Sequence, residues 1–301
     1  MRILHINNVA GIAVKLAYMQ ARHGHEPVVW VKKPHRYMYG HWTETVGGKK
    51  LFMRLIIGHS IDIAKQQIGL GLGGIIHLHG MYDWVAESVS RMPCVVRHLH
   101  GGDARRRGPR HYRGYVLVST PDLQRFVRGE STWLPNPVFP SMFSDAQAAE
   151  KRVRRTTPRP LRIGCYGRND KVMWGEFLES PTLSTAIRPI DIPHSSMPGF
   201  YRGIDVWVDK LGWGFYGVSA VEAAYMGIPV VAGVDKVFAK RYDIPFLRAY
   251  SICDVEDALL ALSDSGFYAQ KFVECREYAL RLHNPDNVYR VLMRAYGDVV
   301  S

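Results

Sequence analysis

With 301 residues, 47% hydrophobic and 22% charged side chains, the chain can build one large or two ordinary domains, and its hydrophobic fraction is that of a well-packed globular protein. A formal net charge of +12 favours anionic partners without choosing among phosphorylated small molecules, an acidic membrane surface and nucleic acid, and a merely soluble basic surface also fits. The four cysteines have no C-x-x-C spacing and read as reduced core residues. No run approaches the ~18 uninterrupted apolar residues of a membrane span, and the first residues enter a strand without a signal peptide.

Arg2 to Asn7 reads as a strand, Asn7 to Gly11 as a loop, Ile12 to Arg22 as an amphipathic helix closed by Gly24, and Val28 to Val31 as a second strand. This βαβ opening is Rossmann-like, but its turn lacks G-x-G-x-x-G, so a dinucleotide fingerprint is not supported. Residues 32 to 50 form a long basic and aromatic loop, and Phe52 to Ile68 has the spacing of an amphipathic helix. Ile75 to His79, Cys94 to His100 and Val116 to Ser119 follow as strands. Asp83 to Arg91 and Pro121 to Val127 are expected helices, and Thr132 to Leu134 a short strand. Phe139 to Pro160 is rich in Ala, Ser, Lys, Arg and Pro and marks a domain boundary. Beyond it, Leu161 to Tyr166 and Ile204 to Val208 read as strands. Met197 to Arg202, Asp254 to Leu262, Tyr268 to Leu282 and Asp286 to Val299 read as helices.

The most informative stretch is Gly212 to Ala232. A glycine-rich loop feeds a helix over about Gly217 to Met226; Gly227 stands where a left-handed cap ends it, and Pro229 opens an all-apolar strand. Such a helix start offers N–H groups to an anion, although any αβ unit of a doubly wound sheet has the same outline. Glu222 is the one carboxylate in this otherwise apolar helix.

Several segments, in order, resemble family 4 glycosyltransferases of the GT-B fold. They are the Gly11 turn, Ile75–His79, Val95–Asp103, Val116–Ser119, Leu134–Val138, Gly164–Arg168, Met197–Val208 and Gly214–Ala232. The resemblance implies an α/β chain with two Rossmann-like domains facing a cleft, the second shortened. The expected boundaries are 1–145 for an acceptor domain and 146–284 for a donor-binding domain, with 285–301 a helix packing back on the first. It implies a retaining hexosyl- or glycosyltransferase that takes a nucleotide-diphosphate sugar, needs no cofactor or metal, and works in the cytoplasm or peripherally at a membrane surface. The departure is Gly214, which stands where the family usually has the first of two glutamates. That opens a second reading, a GT-B-like nucleotide-binding protein impaired in transfer. A third, a nucleic-acid-associated protein, rests on the charge alone and has no recognition module behind it.

By the same resemblance Arg168 and Lys171 would hold the donor diphosphate, with a solvated basic turn as the alternative, and Glu222 would accept the ribose hydroxyls. Backbone N–H groups at Phe215, Tyr216 and Gly217 would assist, and Gly11 would let the backbone approach the phosphates. His100 would stand at a strand end near the reacting sugar. His79, Asp103, Arg105, Arg106 and Arg107 would lie on the acceptor side, where an anionic acceptor suits the arginines. His77, His79, His98 and His100 form two His-x-His pairs, each on one strand face, so a metal site is geometrically open to them. No carboxylate or cysteine joins them at useful spacing, and no metal is expected.

Overall fold

Short all-apolar runs alternating with helices leave the chain one economical solution: parallel strands buried on both faces. The structure, a computed structural model, describes residues 1–31, 45–46, 49–50, 54–57, 74–80, 94–105, 108–139, 160–165, 179–189 and 192–300. It divides into two units, Met1–Pro137 with Pro285–Ser301, and Val138–Asn284.

The first unit is built on strands β1 (Arg2–Ile6), β2 (Glu26–Val31), β5 (Arg54–Ile57), β6 (Ile75–His79), β7 (Val95–Leu99), β8 (Tyr115–Val118) and β9 (Thr132–Trp133). They pair in the order β5-β2-β1-β6-β7-β8-β9, each neighbour parallel. A separate two-stranded ribbon joins β3 (Thr45–Val46) to β4 (Lys49–Lys50). Helix α1 (Ile12–Arg22) lays Ala13, Val14 and Ala17 on Val29 and Val31. A second apolar cluster gathers Leu99, Ala104, Val116, Val118 and Leu123. α2 is the single turn Gly102–Arg105.

In the second unit β10 (Ile163–Cys165), β11 (Val206–Val208), β12 (Val230–Ala232) and β13 (Leu247–Arg248) form a parallel sheet in chain order. Its helices are α3 (Met197–Arg202), α4 (Val218–Tyr225), α5 (Lys236–Arg241), α6 (Ile252–Ala261) and α7 (Ser265–Leu282). Helix α8 (Pro285–Val300) belongs to the first unit, packing against α1, β7 and β8.

One sequence expectation is corrected. Within the helix expected over Phe52 to Ile68, the described residues Arg54–Ile57 form a parallel strand on β2, because a run such as Leu-Ile-Ile suits a strand as well as one side of a helix. The helix expected over Pro121 to Val127 is present as a 3-10 helix, Pro121–Phe126. The α4–β12 junction follows from its residues. Gly227 at φ +76° turns the chain out of α4, and Phe272 of α7 packs so closely that a Cβ there would lie 2.4 Å from its ring.

Candidate functional site

In the second unit, the loop between β11 and α4 ends in Gly214-Phe-Tyr-Gly. Phe215 and Tyr216 turn inward, 2% and 3% exposed. Tyr216 Oη meets Tyr278 Oη at 2.5 Å and His283 Nε2 at 3.0 Å, and burial pushes its phenol well above the ordinary range. Its side chain is therefore part of the core.

The amide of Gly217 is also engaged. Asp209, 4% exposed at the end of β11, accepts the Gly217 N–H on Oδ2 at 2.5 Å, and Ser219 Oγ donates to its Oδ1 at 3.4 Å. A carboxylate of the chain itself thus stands at the start of α4, as the helix dipole favours. Burial raises the Asp209 carboxyl above its usual value, opposed by Lys210 and the Gly217 N–H. Of the amides proposed for an anion from sequence, Gly217 already has an internal acceptor. Lys210 Nζ is close by, 4.3 Å from the Trp213 ring centre and 3.3 Å from the position of a Cβ on Gly217.

Gly214 has φ +78°, a conformation that L side chains rarely adopt. A Cβ here would meet Asp235 Oδ2 at 3.0 Å. Asp235, the residue preceding α5, donates its N–H to Gly214 O at 3.0 Å and brings its half-buried carboxylate against the point where a residue-214 side chain would start.

Glu222 does not stand out from α4. It is 3% exposed; Oε1 lies 2.8 Å from His194 Nε2, and Tyr201 donates its hydroxyl to Oε2 at 3.3 Å. Tyr201 also donates to Ser219 O at 3.1 Å, tying α3 to α4. An apolar helix face carries this acid because a histidine and a phenol from the preceding segment compensate its desolvation.

In the first unit Gly11, at φ +75°, turns the chain from a 3-10 turn into α1, and Asn8 Oδ1 accepts the Val14 N–H at 3.3 Å. His100 is half-buried just past β7, while His79 is 1% exposed, so it is not presented to solvent as an acceptor-side residue would be. His5, His77, His79, His98 and His100 lie together on neighbouring strand ends. The closest ring pairs, His98–His100 and His77–His79, are 4.1 and 4.3 Å apart between centres. Burial lowers the His5 imidazole to about 4 and holds His77, His79 and His98 well below their ordinary range, so these rings are neutral at pH 7.

Arg105 is turned to Asp122, its Nη2 2.5 Å from an acid with no side-chain exposure; this is an internal ion pair rather than an exposed acceptor contact. Asp103 is a residue of α2. Arg106, Arg107, Arg168 and Lys171 lie outside the described residues, as does the expected helix Asp83–Arg91. Sequence reasoning missed His5, Asp209, Lys210, His194, Tyr201 and Asp235. No periodic signal marks the segment that holds His194.

The catalytic domain of starch synthase IV from Arabidopsis thaliana, bound to ADP and acarbose, matches over 100% of this chain and 99% of that one, at TM-score 0.57 and 11% identity. The glycosyltransferase of Rickettsia africae matches at 0.65 and 10% identity, covering 100% and 98%. Sucrose-phosphate synthase of Thermosynechococcus elongatus reaches 0.69 at 14% identity over 99% of each chain. The chain has the GT-B fold. No protein-family model matches it, and no curated protein sequence does. The GT-B assignment gives the β11–α4–β12 segment its meaning as part of the second Rossmann-like half.

Proposed function

We propose that this protein is a glycosyltransferase that moves a sugar from a nucleotide-diphosphate donor to an acceptor hydroxyl with retention of configuration. The observation that carries the reading is the GT-B fold along the whole chain, with neighbours whose names are those of sugar transferases, one of them holding ADP. Glu222, held by His194 and Tyr201, is the carboxylate we assign to the donor ribose. Arg168 and Lys171, by family resemblance, and Lys210, by its place beside the start of α4, are assigned to the diphosphate. The sugar C1–O bond to phosphate breaks, a C1–O bond to the acceptor forms, and the acceptor proton leaves with the diphosphate. Cations and oriented N–H groups stabilise the departing charge. Asp235, lying against Gly214, is the acid we assign to the region where the family carries its first glutamate.

A second reading, nucleotide-sugar binding without transfer, draws on Asp209, whose carboxylate already takes the Gly217 N–H. Calorimetry against nucleoside diphosphates and nucleotide sugars, followed by an acceptor screen, separates the two. Binding with turnover supports transfer, and binding without turnover supports the second reading. No binding at millimolar ligand removes both, and unchanged affinity in Glu222→Ala removes the transferase reading with its ribose carboxylate.

A further inference from the structure

The imidazole cluster of the first unit has a directionality that sugar transfer does not use. Gln20 of α1 donates its amide N–H to Tyr296 Oη at 3.0 Å, which leaves Gln20 Oε1 as an acceptor, 2.8 Å from His5 Nε2. His5 therefore carries its proton on Nε2, and its Nδ1 accepts from His79 Nε2 at 2.9 Å. His79 in turn has its proton on Nε2, so its Nδ1 accepts from His100 Nε2 at 3.1 Å, a contact that an ion between the two rings would replace.

His98 stands between these rings, in register with His79, its ring centre 5.4 Å from that of His79 and 4.1 Å from that of His100. It is 1% exposed, and neither of its nitrogens has a hydrogen-bond partner among the described residues. Two unanswered polar atoms on one buried ring are costly unless something else engages them. One ligand atom from each of His79, His98 and His100 lies within 4.8 Å of the other two. A tetrahedral ion at about 2.0–2.1 Å from each nitrogen needs separations of roughly 3.3 Å, so small ring rotations close the set.

We propose that His79, His98 and His100 form a three-imidazole site for a divalent transition-metal ion of the zinc class, with a fourth position left to water or an anion beside half-buried His100. The chain His79–His5–Gln20–Tyr296 is the outer support such a site requires. A metal-binding imidazole donates its second N–H to a fixed acceptor, which sets its tautomer and aims its lone pair. The other grouping, His5 with His77 and His79, is less suited. Both His5 nitrogens are engaged, and His77 Nδ1 lies 2.7 Å from Tyr296 Oη. Imidazole-only donors favour zinc, copper or nickel over magnesium or calcium. This inference is independent of sugar transfer.

The test uses the full chain without an affinity tag, stripped by chelator and then dialysed against zinc chloride or cobalt chloride. One ion per chain, with the visible bands of four-coordinate cobalt, is the expected result. His98→Gln should lower zinc affinity at least tenfold, and His5→Gln about 10–100-fold through the support. The exposed-edge control His23→Gln should leave it unchanged. Should His98→Gln fail to fold, X-ray absorption of the zinc-loaded wild type decides, three imidazoles being expected. The proposal is overturned if the folded wild type binds neither ion stoichiometrically. It is equally overturned if His98→Gln binds as tightly as wild type, or if absorption shows fewer than three imidazoles.

Discussion

Placing at position 214 the glutamate that family 4 glycosyltransferases, which the sequence resembles, usually carry is an obvious substitution, and the structure indicates that it will not raise activity. Gly214 sits at φ +78°, where an L side chain costs about 1–2 kcal/mol, and its Cβ would arrive 3.0 Å from Asp235 Oδ2. The contact is with a side chain that can rotate, so Gly214→Ala should cost little beyond the backbone term. For the 138–284 unit, about 1–2 kcal/mol corresponds to a fall in Tm of about 2–8 °C, readable by scanning calorimetry. Gly214→Glu adds a like charge beside Asp235 and should fall further. In Gly214→Glu with Asp235→Asn, the charge component disappears and the Tm should return to the Gly214→Ala value. Turnover of nucleotide sugar should not rise in Gly214→Glu, whereas Asp235→Asn alone should lower it with little change in Tm. A Gly214→Ala protein as stable as wild type would refute the left-handed turn. A Gly214→Glu protein with unchanged Tm and higher turnover would refute the assignment of Asp235.

Other expectations follow from neighbouring geometry. Asp209→Ala leaves the Gly217 N–H without its acceptor and should cost about 1–3 kcal/mol in urea unfolding, whereas Asp209→Asn keeps an acceptor, removes the buried charge and should cost less. Gly227→Ala meets both a positive φ and the Phe272 ring; a loss of about 2–4 kcal/mol by the same assay is expected, and a loss under about 1 would show that α7 yields freely. In metal-free protein burial holds His5, His77, His79 and His98 below the ordinary imidazole value of about 6.5, so the unfolded chain binds more protons in that window. Stability should therefore decline as pH falls below about 6.5, by up to about 1.4 kcal/mol per pH unit for each histidine that titrates. Urea midpoints flat from pH 7.5 to 5 would contradict the buried neutral rings.

Much of the fold was legible because parallel strands announce themselves as short apolar runs. Ile3 to Ile6, Ile75 to His79 and Val230 to Ala232 each needed only their own residues and flanking turns. Arg54–Ile57 was not legible, since the three-residue apolar run Leu-Ile-Ile has no period of its own and only pairing with β2 decides it. The site was harder for the same reason. Glu222 reads as an acid facing solvent until His194, 28 residues earlier, is brought against it. Gly214 reads as a missing carboxylate until its positive φ and Asp235 are seen together. The two His-x-His pairs were visible in sequence, but His5, 74 residues before His79, enters their group only through strand register.

The membership of α8 also bears on how the chain is made. Residues 138–284 are synthesised between the two parts of the first unit. His77 and Gln20 wait for Tyr296, 219 and 276 residues further along the chain. During translation the second unit has all of its own partners while the first still lacks a helix. The early sheet must therefore persist with polar side chains and an apolar surface uncovered, the kind of species that chaperones hold. Cutting the chain at Asn284 should recreate that intermediate permanently, giving a soluble second unit attached to a first unit that aggregates.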